Sequence, residues 1–175
     1  MYYGDILKAD IANGLGIRLS LFVSGCTVHC KDCFNKKTWD FRYGHEFTKE
    51  VEDKLMFELG KVYYSGITIL GGEPFEIENQ PTIADLIERI TKELPDKDIW
   101  VYTGNIYDNL LPGGKRYNQE ITDKILDNID VLVEGPFISE LYDLKLNFRG
   151  SSNQRIIDMK KTRKEGRIIL HTLNN

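Results

Sequence analysis

The three cysteines of this chain, Cys26, Cys30 and Cys33, all fall in one eight-residue window, and that crowding restricts the protein more than any other feature. An odd number of thiols so close together does not make a disulfide framework. It reads as a set of metal ligands held in a reducing compartment. The window is Cys26-Thr27-Val28-His29-Cys30-Lys31-Asp32-Cys33, a C-x3-C-x2-C arrangement. It follows Ile17 to Val23, where alternating apolar and polar residues give way to a continuous apolar end, the pattern of a strand.

The rest of the chain alternates short apolar runs with helical patterns. Ile67 to Leu70, Ile99 to Tyr102 and Val131 to Val133 are rich in β-branched and aromatic residues and bounded by turn signals. Thr48 is placed to cap a helix carrying Val51, Leu55 and Leu59, with Gly60 at its end. Pro81 suits the first turn of a second helix, where Ile83, Leu86, Ile87, Ile90 and Leu94 recur at helical spacing until Pro95. Ile121, Ile125 and Ile129 mark a third helix. Strands alternating with helices imply parallel βαβ units. Each strand runs into glycine: Ser24-Gly25-Cys26, Gly71-Gly72-Glu73-Pro74, Thr103-Gly104-Asn105 and Glu134-Gly135-Pro136-Phe137. In parallel α/β folds the carboxyl ends of the strands hold the site, so these four ends are expected to converge on one ligand. With 175 residues, against the roughly 250 of a closed eight-fold barrel, the expected fold is an α/β open partial (β/α) barrel with a parallel sheet. No repeat or long linker divides the chain, so residues 1–175 are expected to form a single domain.

Thiolates at the observed spacing can wrap a loop, residues 24–35, around a [4Fe–4S] cube, binding three irons and leaving the fourth open for chemistry. The competing reading is a structural zinc site of Cys3His type in an interaction module without catalysis, with His29 or His45 as the fourth ligand. Zinc knuckles usually pair C-x2-C with a distant second pair, and the sequence holds no such pair. His29, His45 and His171 are otherwise read as ordinary loop and surface histidines. Glu134 follows three apolar residues, and its carboxylate must meet solvent, a cation or a hydrogen-bonding ligand, because unpaired burial is costly. The run Lys160-Lys161-Thr162-Arg163-Lys164 reads as a solvated charged face, with steering of an acidic partner as the alternative.

The cysteine loop resembles the signature of radical S-adenosylmethionine (SAM) proteins, and Gly71-Gly72-Glu73-Pro74, some forty residues further on, looks like their GGEP motif. The strand IWVYTG, the strand end EGPF and the stretch Phe148-Arg149-Gly150-Ser151-Ser152-Asn153-Gln154-Arg155 are similar to segments of the activases of anaerobic ribonucleotide reductases, so the resemblance spreads over nearly the whole chain. It implies a [4Fe–4S] cluster on Cys26, Cys30 and Cys33, with SAM chelated at the open iron. It implies that Glu73, with Gly71 and Gly72, holds the methionine ammonium. Where the wider superfamily often has an aromatic residue before the last cysteine, this chain has Asp32, with Phe34 just after. The adenine edge is therefore assigned to Asp32, Cys33 and Phe34. Thr103 and Glu134 are expected near the SAM ribose and carboxylate or a monovalent cation. The resemblance also implies a small reductant such as flavodoxin, and a protein substrate, the reductase large subunit, on which a glycyl radical is made. A radical SAM enzyme for a small molecule, such as a pterin-processing one, is the alternative within the same chemistry. A net charge of −4 gives no global pull toward nucleic acid or an anionic membrane. With no basic-then-apolar leader at Met1 to Asp5 and no long apolar run, a cytoplasmic protein is expected.

Overall fold

The computed structural model describes residues 1–174. In chain order the elements are β1 (Tyr2–Asp10), β2 (Arg18–Val23), β3 (His45–Glu46), α1 (Lys49–Leu59), β4 (Gly66–Gly71), α2 (Gln80–Glu93), β5 (Asp98–Thr103), α3 (Gln119–Asn128), β6 (Val131–Glu134), β7 (Arg155–Asp158) and α4 (Met159–Glu165). The local signals work as read. The Thr48 hydroxyl accepts the Val51 N–H at 3.4 Å and Gly60 follows the last turn of α1. Pro81 sits in the first turn of α2, which stops short of Pro95.

One sheet of order β3-β1-β2-β4-β5-β6-β7 carries every strand. β2, β4, β5 and β6 are parallel, each joined to the next through a helix. The flanks depart from the expected parallel sheet: β1 and β3 at one side and β7 at the other run antiparallel. The physical reason is connection length, since the short return from β1 to β2 leaves no room for a crossover helix. β3 and β7, the ends of the strand order, are not neighbours, so the barrel is partial and open.

Side chains alternate across the strands, and the two faces differ. Leu19, Leu21, Val23, Ile67, Ile69, Ile99, Val101 and Leu132 meet apolar residues of the helices in the main core. The other face presents Trp100, Val131, Val133 and Ile156, partly covered by Phe148 and Leu173 from the C-terminal segment. In the run at Lys160 to Lys164, expected as a charged face, Lys160, Lys161 and Lys164 are exposed on α4 while Thr162 is buried. Lys160 pairs with Asp130, Lys161 with Asp158, and Arg163 with Asp123 and Asp127.

At the floor of the open face Arg18 is fully buried. It donates to the Thr68 hydroxyl at 2.7 Å, the Ile67 carbonyl at 2.7 Å and the Leu15 carbonyl at 3.0 Å, and lies 5.2 Å from the centre of the Trp100 ring. One side chain thus ties the starts of β2, β4 and β5 together. Arg18→Met keeps the bulk but strands those acceptors. It should lower stability by about 3 kcal/mol in chemical denaturation, and a loss below about 1 kcal/mol would contradict this role.

Candidate active site

The four glycine-bearing strand ends converge as expected. They border a cleft lined by Cys26, Cys30 and Cys33, by Gly71, Gly72 and Glu73, by Thr103 and Gly104, and by Gly135 and Phe137. A larger groove adjoins it along the open face, sharing Phe34, Leu70, Tyr102, Phe137 and Gln154.

The cysteine loop is fixed by its backbone. Gly25 adopts φ +92°, and a Cβ there would come within 2.4 Å of the Phe41 ring. Its N–H donates to the Thr38 carbonyl at 2.8 Å, and the Cys26 N–H donates to that of Trp39 at 3.3 Å. Cys26 is buried while Cys30 and Cys33 are half-buried. Burial pushes the Cys26 thiol up to about 11, against the pull of the His29 and Val28 N–H groups. Burial also raises the Cys30 thiol, as does the neighbouring Cys33. Binding a metal group must therefore displace protons from these thiols.

The donor set fits a cluster better than a single zinc ion. All three thiols line one cleft, and three thiolates are the donor set of a cluster site with one open position. The rings of the two histidines of the zinc reading make other contacts. His29 stacks on Trp39 at 4.2 Å, and His45 lies on β3 with its ring 5.8 Å from that of Tyr3.

Glu73 lies at the turn after β4 and is fully buried. Its carboxylate accepts the Phe75 N–H at 2.8 Å, the Gly104 N–H at 2.9 Å and the Asn105 side-chain amide at 2.9 Å. The Thr103 hydroxyl donates to both of its oxygens, at 2.8 and 2.9 Å. Burial raises the Glu73 carboxyl, and these donors oppose the shift. These contacts clamp the end of β4 to the end of β5, while Glu73 and Thr103 both still line the cleft. The glycines before Glu73 are packed as tightly, since a Cβ on Gly72 would lie 2.5 Å from the Gly25 carbonyl oxygen.

A second set of residues, unassigned from sequence, joins this turn to the cysteine loop. Glu76 accepts the Thr27 N–H at 2.6 Å and its hydroxyl at 2.8 Å. Arg116 pairs with Glu76 and donates to the Thr27 hydroxyl at 2.6 Å. Asn105 and Glu76 could have been suspected from their places beside Thr103-Gly104 and after Glu73. Arg116 sits in a loop with no periodicity and carried no signal.

Glu134 is not among the residues lining the cleft, although it lies opposite Thr103 in the β5–β6 register and just before Gly135. Its carboxylate accepts the Tyr107 N–H at 2.7 Å and pairs with Arg155. The polar stretch 148–155 fastens the segment after β6. Gln154 donates to the Gly135 carbonyl at 3.0 Å and Asn153 to that of Pro136 at 2.8 Å. Phe34 stands at the cleft mouth, 93% exposed, and Asp32 accepts the Ser139 hydroxyl at 3.0 Å.

Replacing Glu73 by Gln points an amide at several N–H donors, whichever way it turns. We expect the cluster-free protein to lose about 1 to 3 kcal/mol of stability, and Thr103→Val to lose part of that. Unaltered stability combined with abolished SAM binding would return the carboxylate to the ligand.

A family model described as a 4Fe-4S single cluster domain matches residues 12–157. The anaerobic ribonucleoside-triphosphate reductase-activating protein of Salmonella typhimurium is 43% identical over 156 residues, covering 88% of this chain and 96% of its own. The protein of that name from Escherichia coli K12 is 42% identical over the same share of each chain. That of enterobacteria phage T4 is 35% identical over 89% of this chain and 93% of its own. No solved structure matches. With these strand ends, this cysteine loop and relatives of this likeness along nearly its whole length, the chain belongs to the family of anaerobic ribonucleoside-triphosphate reductase-activating proteins.

Proposed function

We propose that this protein is a radical SAM activase that places a glycyl radical on the large subunit of an anaerobic ribonucleotide reductase. The observation that carries this reading is the shared cleft: three cysteines and the Gly71-Gly72 turn on one wall, opening into a larger groove instead of a closed pocket. When bound, a [4Fe–4S] cluster and SAM together supply one-electron reductive cleavage and hence a primary carbon radical able to take a hydrogen atom from glycine.

The chain's own residues do the positioning. Cys26, Cys30 and Cys33 would hold the cluster and leave one position open to SAM. Gly71 and Gly72, lacking side chains, let the backbone approach the methionine, and Glu73 keeps that turn against β5. Phe34 and the backbone of Asp32 and Cys33 form the adenine edge, steadied by the Asp32–Ser139 contact. The groove walled by Tyr142, Leu144 and Phe148 is the entry for a glycine-bearing loop, and the partner completes the exclusion of water. A small one-electron donor such as flavodoxin is required. The continuous sheet supports reading residues 1–175 as one domain. Among the described residues no helix is long and apolar enough to cross a membrane, and free thiols suit the reducing cytoplasm.

Two measurements test this. Cys30→Ala should lose the broad absorbance near 400 nm of the reconstituted cluster together with all SAM cleavage, and retention of both would remove Cys30 from the ligand set. With reductase carrying α-deuterated glycine, mass spectrometry should find one deuterium in the 5′-deoxyadenosine. Unlabelled product alongside a modified small molecule would favour the small-molecule enzyme.

A further inference from the structure

Several of the chain's cations near the cleft are committed to its own carboxylates. Lys31 reaches Glu140 at 2.9 Å, Arg116 holds Glu76 and Arg155 holds Glu134. Lys36, Lys37 and Arg42 are different. All three are exposed, they fall within seven residues, and among the described residues none has a carboxylate at ion-pair distance. Asp40, also exposed, lies among them and leaves a local excess of two positive charges on a protein of net charge −4, against its overall sign.

Its position is specific. The three cations flank Trp39, whose ring lines the cleft beside the three cysteines and stacks on His29 between two of them. The Lys36 ammonium lies 6.0 Å from the centre of that ring. The carbonyls of Thr38 and Trp39 receive the Gly25 and Cys26 N–H groups, so this segment is the outer wall of the cysteine loop. None of the three cations lines the cleft or the adjoining groove. A protein seated on them would therefore face the cysteines from the side while leaving the groove mouth free.

We propose that Lys36, Lys37 and Arg42 form the docking site for an acidic protein that carries one electron. The carrier is oxidised by one electron and the bound cluster is reduced by one, with no bond or proton transferred. Charge complementarity steers the encounter and fixes the side of approach, on the Trp39 side of the cysteine loop. The proposal rests on the cluster reading of the cysteine loop. Glycyl radical formation with dithionite as reductant checks that reading separately, because it needs no carrier protein.

The test uses the cluster-loaded protein and an acidic flavodoxin as probe. Lys36→Glu/Lys37→Glu is compared with Lys92→Glu/Lys164→Glu, which changes net charge equally on exposed positions of α2 and α4. The first pair should weaken flavodoxin binding by roughly tenfold or more at low salt and flatten its dependence on ionic strength, while the control pair stays near the parent. Arg42→Glu should weaken binding less, and the milder Lys36→Gln/Lys37→Gln should do so in the same direction. Stopped-flow reduction by flavodoxin hydroquinone should slow in parallel, with reduction by dithionite unaffected. Equal binding by both pairs of variants, or an equal slowing with dithionite, would overturn the proposal.

Discussion

Glu73 has no contact with water, and the donors that surround its carboxylate come from the turn after β4 and the end of β5. Its own N–H donates to the Gly25 carbonyl at 2.8 Å, just before Cys26. The Asn79 amide bridges its carbonyl to that of Ser24, at 3.1 and 2.9 Å. A buried carboxylate is tolerable only with such a full complement of donors, and here those donors fix three strand ends relative to one another. Placement of the cysteine loop beside the Gly71-Gly72 turn depends on that clamp.

The second tie, through Thr27, Glu76 and Arg116, acts on the same loop from the other side. Together they make the cysteine loop part of a rigid rim although the loop itself contains no regular structure between Ser24 and Asn35. This is how a loop with Cys26 buried and two half-buried thiols can present three ligands with little reorganisation. The opposite end of the sheet is held by Arg18. The molecule is therefore braced by polar clusters at both ends of the parallel strands, with the helix-covered apolar core between them.

Much of this was legible in the sequence because its signals are local. The C-x3-C-x2-C loop, the Gly-Gly turn, the helix caps and the central strands each lie within a few residues of their cause. The flanking strands were not legible. β1 contains Gly4 and Asp5 and is mostly exposed or half-buried, as an edge segment is, and β7 has only two buried residues. Glu134 shows a different limit. A carboxylate at a buried strand end is visible in the sequence, whereas the Arg155 that satisfies it comes 21 residues later on a strand that was not foreseen. Thr103 and Glu73 were each placed at the site from local motifs, and their pairing with one another could not be read from the sequence.

In the proposed function this cleft is half of a catalytic site, completed by a glycine-bearing loop of a larger protein. Electron paramagnetic resonance of the anaerobic mixture tests that claim most directly. With this protein, SAM, reductant and the reductase large subunit all present, a glycyl-radical doublet should grow in, and it should vanish when any one is omitted or when the partner's target glycine is changed to alanine. A doublet that never forms while SAM is consumed would contradict the account.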